Sequence, residues 1–203
     1  MKRRYVVGIF IAALILIGNQ IFIQYWLAQK KYDAKAINLA GRQRMLSQRI
    51  NLSFYRLIEG TTTIDTLQNL MEEWKTAHHA LLQGSPAIES VEEPEAKVLL
   101  LQLSANIDFV DRQLTESDMA TASNLSAITE NQSTFLRSMD RVVNLLEQES
   151  ERKLRFIVVT EILLMLLSLT VLTLEVRYIY MPIEKTLNQA LLKVKEQSRN
   201  KLM

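Results

Sequence analysis

Three arginines crowd the stretch AINLAGRQRMLSQRI at positions 36–50: Arg42, Arg44 and Arg49. From Ala34 up to Glu59 every charged side chain is basic: Lys35, Arg42, Arg44, Arg49 and Arg56. A solvated helix face usually mixes signs, so the negative charge for these groups has to come from elsewhere. Guanidinium is the side chain suited to planar oxyanions, because its forked donors bond two oxygens at once. On a helix turning roughly 100° per residue, Ile37, Gly41, Arg44 and Gln48 fall within about 60° of one another. Leu39, Leu46 and Ile50 gather on the opposite side and read as core. The first face joins a glycine that permits close backbone approach, an arginine one turn on, and a glutamine. Two copies meeting along it would bring two Arg44 groups together across a two-fold axis, which is costly unless an anion sits between them. A plainer reading stays open. The arginines snorkel over apolar surface, or pair with acids of other helices such as Asp108, Asp111 or Glu147.

What positions this stretch is a pair of apolar runs. Tyr5 to Leu27 has no formal charge, and Phe156 to Leu174 has only Glu161. A helix of 23 residues rises roughly 34 Å, enough for a hydrocarbon core of about 30 Å. The sequence therefore predicts transmembrane helices over 5–27 and 156–176, with a polar segment over 28–155 between them. The basic start Lys2-Arg3-Arg4 would suit a cleaved signal peptide. The apolar stretch is too long for one, however, and no small-x-small site follows before Tyr25-Trp26. Basic residues before the first span and after the second (Arg177, Lys185, Lys193, Lys195) put both termini in the cytoplasm and the middle in the periplasm. The middle has 15 basic and 18 acidic residues, an ordinary soluble surface, and the chain has no cysteine. The implied location is the bacterial inner membrane, in contact with lipid.

The middle segment reads as an all-α, antiparallel four-helix bundle. The first helix continues from the first span to about Arg56, and Gly60-Thr61-Thr62-Thr63 breaks it. A second fits Ile64 to Leu82 with apolar positions Leu67, Leu70, Met71, Trp74, Ala77 and Leu81, stopped by Gly84-Ser85-Pro86. Pro94 suits the first turn of a third, with a stripe of Val98, Leu101, Ala105 and Phe109. Ser117 or Asp118 caps the fourth, whose Leu125, Ile128, Phe135, Met139, Val142, Leu145 and Leu146 lead into the second span. His78 and His79 point about 100° apart, cannot share a metal, and read as surface. Glu161 is a functional candidate by its place in a span, and Gly8 and Gly18 are too far apart for a packing pair. Over 177–203, Met181-Pro182-Ile183 interrupts the helix, and Ile183, Leu187, Ala190 and Val194 form a short coiled-coil seam. This resembles the opening helix of a HAMP linker. No kinase, cyclase or methyl-accepting module follows in the sequence, so a cytoplasmic signalling partner or a further output module is implied.

The 36–50 stretch resembles the signature of PilJ-type sensory domains, found in type IV pilus chemotaxis transducers. It is similar also to the P-box of nitrate/nitrite sensor histidine kinases, where Ala-Ile-Asn, Ala-Gly, Arg-Met and a later arginine recur in the same order. Both belong to receptors with two spans and an outer four-helix bundle. In the nitrate sensors the glycine and the Arg-Met arginine, here Gly41 and Arg44, belong to an anion site at a homodimer interface. Arg42 after Gly41, and Gln48-Arg49 after Ser47, follow the PilJ type rather than the nitrate type. The candidate ligand-binding residues are thus Gly41, Arg44, Gln48 and Arg49, and the implied ligand is a small oxyanion such as nitrate or nitrite. The expected function is a sensor for chemotaxis or two-component signalling; the rival is an accessory subunit that binds a protein partner and no small molecule. No nucleophile–base arrangement or phosphate loop is present, so neither an enzyme nor a cofactor is expected, and the basic residues lie wrongly for nucleic acid.

Topology is directly testable. Tags at residues 1 and 203 should both report cytoplasm, and a tag inserted at Gly84-Ser85 should report the outside. A cytoplasmic signal from the Gly84 tag would overturn the two-span scheme.

Overall fold

The computed structural model describes residues 2–116 and 122–200, and among these it has five α-helices. They are α1 (Lys2–Ile58), α2 (Ile64–Gln83), α3 (Pro94–Glu116), α4 (Ala122–Glu175) and α5 (Met181–Asn200). A π-turn, Val176–Tyr180, joins α4 to α5. Among the described residues there is no β-strand, only an isolated bridge between Ser85 and Ile88.

The breaks fall where backbone chemistry puts them. Gly60 takes φ 69, letting its N–H reach Leu57 O at 3.1 Å while Thr61 N–H reaches Arg56 O at 2.8 Å. That pair of bonds satisfies carbonyls which the end of α1 leaves open. Thr63 then caps α2, its hydroxyl accepting from Thr66 N–H. Gly84, at φ 83, closes α2 by donating to Ala80 O at 3.0 Å. Pro94 opens α3, where a missing N–H costs nothing, and the Glu93 carboxylate accepts from Ala96 N–H. The expected cap at Ser117 or Asp118 lies outside the described residues.

The chain divides into two compact units, residues 28–154, and residues 1–27 with 155–203. In the first, four helical segments contribute to one core: Leu46, Ile50 and Phe54 of α1, the α2 stripe, Leu100, Leu103 and Ile107 of α3, and Ile128, Phe135, Met139 and Val142 of α4. All six apolar positions expected on α2 are buried. The α3 stripe is a correction. Val98 and Leu101 are 54% and 59% exposed, and Ala105 is exposed as well. The buried line is Ala96, Leu100, Leu103, Ile107, Val110 and Leu114. Its 4, 3, 4, 3, 4 spacing spans the whole helix, whereas the Val98 line stops after a few positions, so packing selects the longer one.

In the second unit, α1 and α4 each hold a stretch long and apolar enough to cross a membrane. Their apolar side chains are largely bare, Leu16 at 65% and Leu163 at 61% exposed. Trp26 packs its ring 5.9 Å from Phe156. The helix is not interrupted at Met181-Pro182-Ile183, a second correction: α5 starts at Met181 directly after the π-turn. Met181 N–H reaches back five residues to Val176 O, which widens the ladder just where the proline ring needs room.

Adjacent leucines on α3 provide a test. Leu100→Ala should cost about 2–5 kcal/mol in chemical unfolding of the purified chain, and Leu101→Ala should stay within about 0.5 kcal/mol. Equal losses would return the Val98–Leu101 face to the core.

Candidate functional site

The arginine-rich stretch lies on the part of α1 that packs into the core, and its inward residues fix where the rest point. Ala40, Gln43, Leu46, Ser47 and Ile50 are fully buried. Gly41, half-buried, sits opposite them, and a Cβ built there meets nothing within 4 Å. Met45, Gln48, Arg49 and Leu52 are exposed around it, so the four candidate residues Gly41, Arg44, Gln48 and Arg49 share the outward side of one helix. Arg49 stands at its rim, about 80° from Gly41.

The two central arginines diverge. Arg44 Nε lies 2.7 Å from Asp140 Oδ1 on α4, both side chains about half exposed (45% and 51%). Arg42 turns the other way and pairs with Glu73 on α2. Pairing with acids of other helices is thus what the chain displays, although neither acid is among the three anticipated. Exposed pairs of this kind contribute about 0–1 kcal/mol, so another anion can displace the acid cheaply.

Two of the cavities in this unit reach the 36–50 stretch, one at Ala36 and the other at Asn38, Leu39 and Arg42. An open groove of about 600 Å³ between α1 and α2 is lined by Leu39, Arg42, Glu73, Ala77 and Ile88. A more enclosed one of about 290 Å³ is lined by Tyr32, Asp33, Glu89, Glu149 and Lys153. Gly41, Arg44, Gln48 and Arg49 line neither.

Behind the stretch runs a polar layer that apolar patterning does not flag. Gln43 donates from Nε2 to Trp74 O at 3.3 Å, and Ser47 donates to Arg44 O at 2.9 Å. The signal for Gln43 was available, since Leu39, Gln43, Leu46 and Ile50 repeat at 4, 3 and 4. Gln132 on α4 is 2% exposed, and its amide finds no partner among the described residues. His78 corrects the surface reading: it is 5% exposed, with Nε2 3.0 Å from Ser104 Oγ of α3. Burial pushes its pKa down to about 4, against smaller upward pulls from the Leu100 backbone and Asp108.

A family model for the N-terminal domain of type IV pili methyl-accepting chemotaxis transducers, PilJ, matches residues 25–134, more than half of the 203-residue chain. The chain belongs to this family. The PilJ-type match contains the 36–50 stretch, α2 and α3 entire, and the first part of α4. No curated protein matches the chain. Membership makes it a sensory domain of the chemotaxis-transducer type, a family that is not catalytic. The two long apolar helices and the receptor family are together consistent with a membrane protein.

His78 sets a pH dependence for this PilJ-type domain. Its folded pKa of about 4 lies below the ordinary 6.5, so as pH falls the unfolded chain takes up the proton first. Stability is full above about pH 6.5 and is lost progressively down to about pH 4, by about 3 kcal/mol in total. Unfolding of His78→Leu followed across this range should lack that slope; an unchanged slope would assign it to other groups.

Proposed function

We propose that this PilJ-type chain is a homodimeric receptor of the bacterial inner membrane that passes a periplasmic signal to the cytoplasm. Residues 28–155 are an antiparallel four-helix bundle in the periplasm, and residues 5–27 and 156–176 are the spans. Both termini are cytoplasmic, and residues 177–203 begin a HAMP-like output helix that acts on a cytoplasmic partner or a further module. The ligand is a small oxyanion of the nitrate or nitrite kind.

One observation carries this reading. The outward face of α1 places Gly41, Met45, Gln48 and Leu52 at spacings of 4, 3 and 4 directly opposite the core, with Met45 and Leu52 45% and 48% exposed. That is the pattern of a helix-pairing seam, polar at one position and open at the glycine. A second copy of α1 laid along it brings two Arg44 and two Arg49 groups to its rims. In one protomer these residues line neither of the two cavities described above, so a partner helix has to complete the site. An oxyanion arriving there competes with Asp140 for Arg44. Moving Arg44 off α4 in one state and not the other gives the ligand a differential affinity, which is what shifts a two-state receptor.

A second reading, an accessory subunit that binds a protein partner through the bundle, has the exposed Val98 and Leu101 of α3 in its favour.

Calorimetry of the full chain in micelles with nitrate, nitrite and small carboxylates separates the two. Arg44→Ala should abolish the heat of binding, and Arg44→Lys should restore little of it because a point charge lacks the fork. Arg42→Ala, on the α2 side, should weaken affinity by less than about tenfold, or 1.4 kcal/mol. Gly41→Leu should lose both binding and dimer without loss of unfolding stability, because the protomer has room for the side chain. Equal losses from Arg42 and Arg44, or no heat from any anion with the intact chain, would favour the accessory subunit.

A further inference from the structure

Gly8 is buried beside the π-turn. A Cβ on it would lie 3.0 Å from Ile179 Cδ1 and 3.4 Å from Glu175 Oε1. Gly8 is thus a close-contact point on its own, without a second glycine. Glu175 is 8% exposed, and its Oε1 finds no hydrogen-bond partner among the described residues. This carboxylate, rather than the exposed Glu161, is the acid that the apolar unit encloses.

The register around Glu175 is unusual. Along α4 the more buried positions are Ile157, Thr160, Leu164, Ser168, Val171 and Glu175, spaced 3, 4, 4, 3 and 4 as an α-helix requires. Beyond Glu175 they continue as Ile179 and Ile183, at 4 and 4, while Tyr178 (68% exposed) and Pro182 face outward. At about 100° per residue, a helix of ordinary pitch would lead from Glu175 to Ile179, Pro182, Thr186 and Gln189. Past Ile179 that line crosses a proline, a threonine and a glutamine. The observed line leads instead onto Ile183, the head of the Ile183–Leu187–Ala190–Val194 repeat. The difference is one residue, and the π-turn is where it is taken up, because a turn closed by i to i−5 bonds holds one residue more than an α-turn.

We propose that the Val176–Tyr180 π-turn is a register joint: it absorbs one residue so that the packing line of α4 is handed to the apolar seam of α5, with Gly8 giving the room against Glu175 and Ile179. Converting the turn to α-helix rotates the seam by about 100° relative to α4. The joint therefore has two discrete settings that differ in which face of α5 is presented. Its use as a signalling switch rests on the receptor reading above; the register itself does not.

The test is a nitroxide scan of the full chain in bilayers, with single cysteines at positions 168–192. The natural sequence contains no cysteine to interfere. Minima of label mobility should fall at 171, 175, 179 and 183. Minima at 171, 175, 179 and 182 would overturn the proposal. Deleting Tyr178 gives the sharper comparison. An ordinary helix would turn everything downstream by about 100°. A register joint loses only its surplus residue, so Ile183 should stay on the packed side. A minimum displaced by one residue in the deletion variant would also sink the joint, and the scan of the undeleted chain decides if that variant fails to insert. Because the scan uses no ligand, an anion-blind protein with minima at 179 and 183 would fail the oxyanion reading and keep the joint.

Discussion

The contact of Trp74 with Phe135 holds the sensory unit in register. Both rings are fully buried, one on α2 and the other on α4, edge-on with centroids 4.7 Å apart. Such a pair adds about 0.5–1.5 kcal/mol beyond the area it hides. Its larger effect is on α1, which lays Gln43 against the Trp74 carbonyl and Leu46 and Ile50 into the same core. With those positions inward, Gly41, Arg44 and Gln48 have only one direction left. A slip of one residue would swing Arg42 or Arg49 toward the core, where an unpaired charge costs several kcal/mol. The outward aim of the arginines is thus a property of the aromatic contact behind them.

That division explains what was legible beforehand. α2 could be read residue by residue because only one apolar line runs along it, and Gly60, Gly84 and Pro94 announce their breaks by backbone geometry alone. α3 could not, since Leu99-Leu100-Leu101 offers a position to every candidate face and only the packed partners choose among them. His78 was misjudged because a neighbouring histidine suggested polarity, whereas Ser104, the group that lets it be buried, is 26 residues away. In the arginine stretch Leu46 and Ile50 were legible as core, which leaves the arginines on the other sides of the helix. Their acids, Glu73 and Asp140, come from other helices and left no mark in the local sequence. The π-turn was hidden for a similar reason, because a surplus residue shows only when the packing lines on both sides of it are known.

The four core segments are not fastened equally. The return between α2 and α3 is tied by backbone groups: Val91 N–H donates to Leu81 O at 2.8 Å, and Lys35 of α1 reaches Ala87 O at 3.2 Å. Gln29 of α1 holds the same return through Glu89 at 2.9 Å. α4 is held outside the core by side chains alone, through Arg44–Asp140, Glu95–Arg141 and Asp33–Lys153, whose long flexible arms can follow a shift of an ångström or two. Outside the core, α1 is thus tied to the return loop through a backbone carbonyl, whereas α4 has only side-chain contacts, with Thr129 near Tyr55 and Asn51 among them. By its fastenings α4 is the most loosely moored of the four, and it is the helix that runs on to Glu175.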